Sequence, residues 1–338
     1  MTSKRRFLQF SFKILFFTLL KINWIAHAIE KLNSKRKTLV LTHPIFFNKI
    51  FSNDHPEQPE RIKKTINGLK EIKLENLIET IHLDISVDHW VNQIHSKIHI
   101  NSLTKNFSLA ESISRVALKG CIQAIDKIMT KEIKNAFCLS RPPGHHALNT
   151  GKDEGFCFYN HIAVAAKYIQ LQHKKKKILI IDWDYHHGNS TELFFYDDPT
   201  VLCFSTHNLE AYPGTGFPER TGVGKGKGFN INIHLPCGTT DQDIIKVYEN
   251  ILIKKANLFK PDFVLISAGF DSRKNDPLGC FEISDLGFKK LTEIVLKIAH
   301  KHCDGRLLSI LEGGYNIEGN AKAVISHIKV LNNFYKKV

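Results

Sequence analysis

Short apolar runs alternate along this chain with longer stretches whose apolar residues recur every three to four positions. Residues 38–42 (TLVLT), 136–139 (AFCL), 178–181 (ILII), 201–205, 229–235, 263–267 and 307–311 have the length and apolar content of strands. Between them lie helical patterns. Ile62, Ile66 and Leu69 share one face, and further helices are expected over 109–129, 161–171, 241–259 and 284–302, with a closing helix to the end. Near-continuous apolar strands separated by amphipathic helices indicate βαβ units, in which a buried parallel sheet is covered on both faces. The fold class is therefore α/β. No repeat or low-complexity linker divides the chain, so residues 38–338 are read as one domain preceded by a distinct extension, 1–37.

The polar residues change this picture from a fold into a site. The run KILIIDWDYHHGN (177–189) passes from four core residues directly into Asp182, Asp184, His186 and His187. Burying such groups is costly unless something binds them. In open parallel sheets ligands sit beyond the carboxyl ends of the strands. Here those ends carry 141–146 (RPPGHH), 182–187, 205–207, Asp271 and 313–315. Asp184, His186 and Asp271 are candidate metal ligands. One imidazole and two carboxylates suit Zn²⁺ with an open position for water, and Fe²⁺ or Mn²⁺ tolerates the same donors. His145 and His146 follow two prolines and a glycine, so they lie in a loop and both can face the metal for proton transfer. His187 is expected to pack or cap.

These blocks resemble the signature motifs of the zinc-dependent histone deacetylase superfamily: RPPGHHA (141–147), DWDYHHGN (182–189), AGFD (268–271) and EGGY (312–315). HPEQPER (55–61), YPGTG (212–216) and DPLG (276–279) bring the resemblance closest to class II and bacterial members. It runs from about residue 38 to the end. It implies the arginase/deacetylase fold, a single-domain parallel sheet of about eight strands flanked by helices. It implies zinc on Asp184, His186 and Asp271, with His145 and His146 beside the attacking water. Asp182 would orient His145, and Asn189 would orient His146. Tyr315 would donate its hydroxyl to the substrate carbonyl. Phe156 and Tyr212 would wall an acyl-lysine channel, the Gly155 carbonyl would accept the substrate N–H, and Leu278 would stand at the rim. A structural K⁺ would use carbonyls of Asp182, Asp184, His186 and Thr206 with the side chains of Asp182 and Ser205. An outer K⁺ site would use carbonyls of Phe195, Asp198, Val201 and Phe229.

The implied activity is removal of acetyl or other short acyl groups from lysine side chains of proteins. Two alternatives stand beside it: the same chemistry on small acylated amines such as acetylpolyamines, and a catalytically silent metal-containing binding protein. Relatives often carry an aspartate on the channel lip, yet there is no acidic residue between Ile100 and Ala110. Leucine at 278, where polyamine-specific relatives have glutamate, weighs against polyamines. Ser190 occupies a position where glycine usually follows the HHGN motif.

Composition adds less. The net charge is +14, but the lysines are scattered, so a solvated basic surface is expected and no nucleic-acid partner. Seven cysteines with no CxxC pair read as reduced core residues of a cytoplasmic protein. Residues 4–6 are basic and precede an apolar run, 7–20, broken by Lys13. This extension reads as a packed helix, a membrane-surface helix touching lipid through residues 1–30, or an export signal.

Overall fold

The computed structural model describes residues 38–335. The expectations for residues 1–37 lie outside the described residues. Eight parallel strands form one sheet: β1 (Thr38–Thr42), β2 (Ile78–Thr80), β3 (Asn135–Cys138), β4 (Ile178–Asp182), β5 (Val201–His207), β6 (Asn230–His234), β7 (Phe263–Ala268) and β8 (Leu307–Leu311). Their order is β2-β1-β3-β8-β7-β4-β5-β6. β3, β4, β5, β7 and β8 are buried along their whole length, as expected for parallel strands covered on both faces.

The helices are α1 (Glu60–Glu71), α2 (Asp88–Val91), α3 (Lys97–Asn106), α4 (Ser108–Met129), α5 (His161–His173), α6 (Asn189–Phe195), α7 (Asp241–Val247), α8 (Ile253–Phe259), α9 (Asp285–Cys303) and α10 (Ile317–Phe334). Side-chain caps fix several starts. Ser284 Oγ accepts the N–H groups of Leu286 and Gly287, and Asn316 Oδ1 accepts that of Gly319. Among the described residues, no helix is long and apolar enough to cross a membrane.

Besides the short helices α2, α3 and α6, which have no counterpart in the sequence reading, two elements differ from it. β2 is a three-residue edge strand, partly exposed, in which a charged Glu79 interrupts the apolar signal. The run expected as one helix over 241–259 contains a π turn, Tyr248–Leu252, between α7 and α8.

Because all strands run the same way, their carboxyl ends share one edge. The four central neighbours β3, β8, β7 and β4 are in register there: Cys138 pairs with Ile310, Ala268 with Leu311, and Asp182 with Ser267. The loops carrying RPPGHH, EGGY, AGFD and DWDYHH thus leave adjacent strands side by side.

A buried charge cluster anchors this edge to the segment before α1. Arg141 Nε donates to Glu57 Oε1 (2.7 Å), and its Nη1 donates to the carbonyls of Phe46 and Asn48. Arg61, from α1, donates Nε to the Gly314 carbonyl (2.7 Å) and Nη2 to the Glu312 carbonyl, with Nη1 3.3 Å from Glu57. All three side chains are fully enclosed. Removing one partner of a buried ion pair leaves an uncompensated charge. Glu57→Ala strands two buried guanidinium groups and is expected to cost about 3–5 kcal/mol. A urea unfolding midpoint that stays at the wild-type value would show that the cluster carries no such stabilisation.

Candidate active site

Two aspartates meet at the centre of the sheet edge. Asp184 comes from the loop after β4 and Asp271 from the loop after β7, and both are wholly buried. Each spends one oxygen on a backbone N–H: Gly313 N donates to Asp184 Oδ2 and Tyr185 N to Asp271 Oδ1, both at 2.8 Å. Their other oxygens converge on His186, whose Nδ1 is 3.2 Å from Asp184 Oδ1 and 3.0 Å from Asp271 Oδ2. Glycines permit this approach. A Cβ on Gly269 would stand 2.0 Å from Asp184 Oδ2, and one on Gly313 2.0 Å from Asp271 Oδ2.

This trio fits a metal ion. A tetrahedral ion with bonds of about 2.0–2.2 Å sets neighbouring donors roughly 3.3 Å apart, and the observed separations are 3.0 and 3.2 Å. The electrostatics agree. Burial, then the like charge of Asp184, pushes the Asp271 carboxyl up to about 7. Burial opposes charge on His186 too, but its hydrogen bonds to Asp184 and Asp271 hold it up to about 10. Two carboxylates in a dry pocket require a positive partner, and a divalent cation supplies more charge than one imidazolium.

The tandem histidines flank the trio with unlike partners. His145 Nδ1 is 2.9 Å from Asp182 Oδ2, and its Nε2 faces Asp184 Oδ1 at 3.8 Å. His146 Nδ1 is 2.8 Å from Asn189 Oδ1. Their rings lie 4.0 Å apart. Burial disfavours the charged form of both. At His145 the charges of Asp182, Asp184 and Glu312 outweigh it and raise the imidazole well above its ordinary range. At His146 nothing outweighs it, and the positive neighbours His145 and His186 push it further down. Tyr315 follows Gly313 and Gly314 in the loop after β8. Its N–H donates to Asp276 Oδ2 (2.7 Å), and its ring lies 4.9 Å from the Arg61 guanidinium carbon. Burial raises its phenol well above 10 although Arg61 opposes this, so the hydroxyl remains a donor.

The mouth is aromatic. Phe156 meets the Tyr315 ring edge-on at 5.8 Å, and Tyr212 meets His146 edge-on at 5.0 Å. Gly155 and Phe156 both have positive φ, +51° and +69°. A Cβ on Gly155 would fall 2.5 Å from His146 and 2.8 Å from Tyr212, so only glycine fits between the two rings. Leu278 is 36% exposed at the start of the loop that ends in Cys280. The chain thus gathers Asp182, Asp184, His186, Asp271, His145, His146, Asn189, Tyr315, Gly155, Phe156 and Tyr212 around one cleft.

The side chains expected to hold K⁺, Asp182 and Ser205, lie on the adjacent strands β4 and β5. Asp182 pairs in register with Ser205, and Thr206 Oγ1 approaches the Asp182 carbonyl at 3.5 Å. Ser205 Oγ contacts His207 Nδ1 (2.9 Å). At the outer position, the carbonyls of Phe195, Asp198 and Phe229 accept from Asp198, Val201 and Cys203.

Other residues acquire places that motif reading did not assign. Glu312 lies behind the histidines, where Oε2 accepts the N–H groups of Gly144 (2.6 Å) and His145 (3.2 Å). Burial pushes its carboxyl up to about 7. His187 packs beneath the Tyr212 loop, with Nδ1 2.8 Å from Thr215 Oγ1 and Nε2 3.3 Å from Glu192. Ser190 turns out to be a tie: its Oγ donates to the His145 carbonyl (2.8 Å) and accepts from Asn160 Nδ2 (2.6 Å). Asp153 and Glu154 stand next to the mouth. After burial, the charges of Glu154, Cys157 and Asp153 push the Tyr212 phenol up to about 12. Their signal was available, as two acids directly before GFCF.

The cysteine expectation needs a correction. Cys121, Cys138, Cys157, Cys203 and Cys303 are buried free thiols, but Cys237 and Cys280 form a disulfide. The two are 43 residues apart and meet because the loops after β6 and β7 converge near the mouth.

Comparison with known proteins agrees with the geometry. The histone deacetylase domain family matches residues 55–331. A probable deacetylase of Archaeoglobus fulgidus is 36% identical over 298 residues, covering 83% of this chain and 82% of that protein. Histone deacetylase 15 of Arabidopsis thaliana is 34% identical over 86% of this chain, which spans 55% of that longer protein. A crystal structure titled as the HDA15 HD domain superposes with a TM-score of 0.82 at 31% identity, covering 88% of this chain and 90% of that one. With its blocks in order, its eight-stranded parallel sheet and its Asp-His-Asp trio in place, the chain belongs to the histone deacetylase family.

Proposed function

We propose that the chain is a metal-dependent amide hydrolase that removes acetyl or other short acyl groups from lysine side chains of proteins. The observation that carries this reading is the Asp184–His186–Asp271 trio beside two differently partnered histidines, with a buried phenol at Tyr315. Asp184, His186 and Asp271 would hold zinc or ferrous iron, which polarises an amide carbonyl and makes a bound water acidic. K⁺ beside Asp182 and Ser205, at the carbonyls of Asp184, His186 and Thr206, would be structural.

The protein's own groups supply the rest. His146 is neutral and its Nδ1 is taken by Asn189, which leaves Nε2 to accept a proton from the attacking water. The same nitrogen then returns that proton to the leaving amine. His145 remains an imidazolium held by Asp182, a fixed positive charge next to the developing oxyanion. The Tyr315 hydroxyl donates to that oxyanion. Phe156 and Tyr212 flank the aliphatic stem of the lysine, the Gly155 carbonyl accepts its amide N–H, and Leu278 meets the approaching chain.

A second reading, hydrolysis of small acylated amines, is favoured by one observation. The acids near the mouth, Asp153 and Glu154, lie beside Tyr212, where a free cationic amine would reach them. Leu278 in place of an acid at the rim favours the protein substrate. Side-by-side turnover of acetyl-lysine peptides and acetylspermidine decides between them: kcat/KM at least tenfold higher on the peptides is expected, and the reverse order would overturn the first reading.

Tyr315→Phe removes one oxyanion donor and should lower kcat by about 10²–10³. Elemental analysis should find about one zinc or iron per chain in both proteins. Full activity in the variant, or two tightly bound manganese ions in the wild type, would contradict the assignment. Asn189→Asp places a carboxylate on His146 and raises its pKa. Because His146 acts in its neutral form, the acid limb of kcat/KM should then move to higher pH, by roughly one to three units. An unmoved limb in the pH–rate profile would remove His146 as the base.

A further inference from the structure

We propose that the Cys237–Cys280 disulfide is a clasp that positions both sides of the substrate mouth, and that its reversible reduction weakens substrate binding while leaving the chemical step intact. The proposal concerns the mouth of the deacetylase site and rests on that reading for its kinetic form.

Cys280 lies two residues beyond Leu278. Between them, Gly279 presses so closely on the loop carrying Asp271 that a Cβ there would sit 2.0 Å from the Asp271 carbonyl oxygen. Cys280 Sγ is 3.0 Å from Tyr185 Oη, adjacent in sequence to the ligands Asp184 and His186. On the other side, Asn208 Nδ2 stands 3.5 Å from Cys237 Sγ and 3.6 Å from Cys280 Sγ. Asn208 starts the loop that carries Tyr212. Its Oδ1 accepts the Glu210 N–H (2.8 Å), its carbonyl accepts that of Ala211, and its own N–H donates to the Tyr185 carbonyl (3.0 Å). One sulfur pair therefore joins the loop of Leu278, the loop of Tyr212 and the segment after β6.

The bond is also the one a reductant can reach. The remaining five cysteines are buried thiols, whereas Cys237 is exposed and Cys280 half-buried. Exposed disulfides are the labile ones. A dithiol would attack as thiolate on Cys237 Sγ, forming a mixed disulfide and releasing the Cys280 thiolate. The second thiol of the reductant then closes its own disulfide and releases Cys237. Two electrons and two protons pass to the protein, giving two thiols. Gly238 N donates to the Cys280 carbonyl and Glu282 N to the Thr239 carbonyl, both at 2.8 Å, backbone bonds that do not involve the sulfurs. These keep the two sides of the clasp near one another, and Asp184 and Asp271 keep their own backbone donors, Gly313 N and Tyr185 N, so opening loosens the mouth without freeing the trio, which predicts an effect on KM rather than kcat.

The test uses the full chain purified without reductant. Thiol titration under denaturing conditions should count five cysteines, and seven after a water-soluble phosphine. On an acetyl-lysine peptide, reduction should raise KM about three- to tenfold, the scale of losing preorganisation in one or two side chains. kcat should stay within about twofold, because the clasp touches none of the proton-transfer groups. A C237S/C280S variant should show the raised KM with and without phosphine. Backbone hydrogen exchange in segments 208–216 and 276–283 should quicken on reduction. Seven thiols before reduction, an unchanged KM after it, or a double variant that still responds would each overturn the proposal. If no acylated amine is turned over but exchange quickens in both segments, the deacetylase reading falls and the clasp stands. Unchanged exchange removes the clasp whatever the activity.

Discussion

Two carboxylates set side by side in a dry interior are the constraint around which this structure is arranged. Asp184 and Asp271 arrive from β4 and β7, adjacent strands in a sheet whose order places them together. Like charges at that range cannot both persist without compensation. The compensation comes in layers. Backbone N–H groups of Tyr185 and Gly313 take one oxygen of each acid, His186 spans the others, and the geometry left over matches a divalent ion. The glycines of AGFD and EGGY follow from the same constraint, since a methyl group at either position would collide with a carboxylate. Motif residues that look like turn formers are in fact there to let acids approach.

A second set of buried charges keeps the first in place. Glu57 pairs with both Arg141 from the histidine loop and Arg61 from α1, and Arg61 grips the carbonyls of Glu312 and Gly314. Glu312 in turn holds the N–H groups of Gly144 and His145. These contacts join the segment before α1, the tandem histidines and the Tyr315 loop into one rigid frame. Such rigidity is what catalytic geometry demands, because a misplacement of about 1 Å costs on the order of 10²-fold in rate.

How much of this was legible in the sequence depends on the range of the interaction. Seven strands and the long helices were visible because period and apolar content are local properties. β2 was not, because three residues with Glu79 in the middle carry too little signal. The ligand trio and the histidines were legible because each sits at a strand end next to its motif glycines. The roles of Glu57, Arg61 and Glu312 were hidden. Their partners lie up to 253 residues away in the chain, and nothing local marks a charge as buried. The disulfide was hidden for the same reason: a separation of 43 residues in two loops forms no spacing motif. Ser190, which looked like an obstruction beside HHGN, proved to be a hydrogen-bond bridge once Asn160 and the His145 carbonyl were seen around it.

The tandem histidines show how one local difference is converted into two chemical roles. Both rings are buried, their centroids 4.0 Å apart, so their desolvation is similar. What separates them is one partner each, a carboxylate for His145 and an amide for His146. Asp182, with Asp184 and Glu312, raises His145 well above its ordinary range, and burial, then the positive neighbours His145 and His186, lowers His146 towards the neutral form. The asymmetry is therefore self-reinforcing: fixing the proton on one ring is what frees the other to accept one. Asp182 and Asn189 flank the same short turn after β4, so the segment that carries Asp184 and His186 also carries the partners of both tandem histidines. A single strand end thereby places the Asp184–His186–Asp271 trio beside the partners of both histidines, and a change in either partner would be felt at both rings.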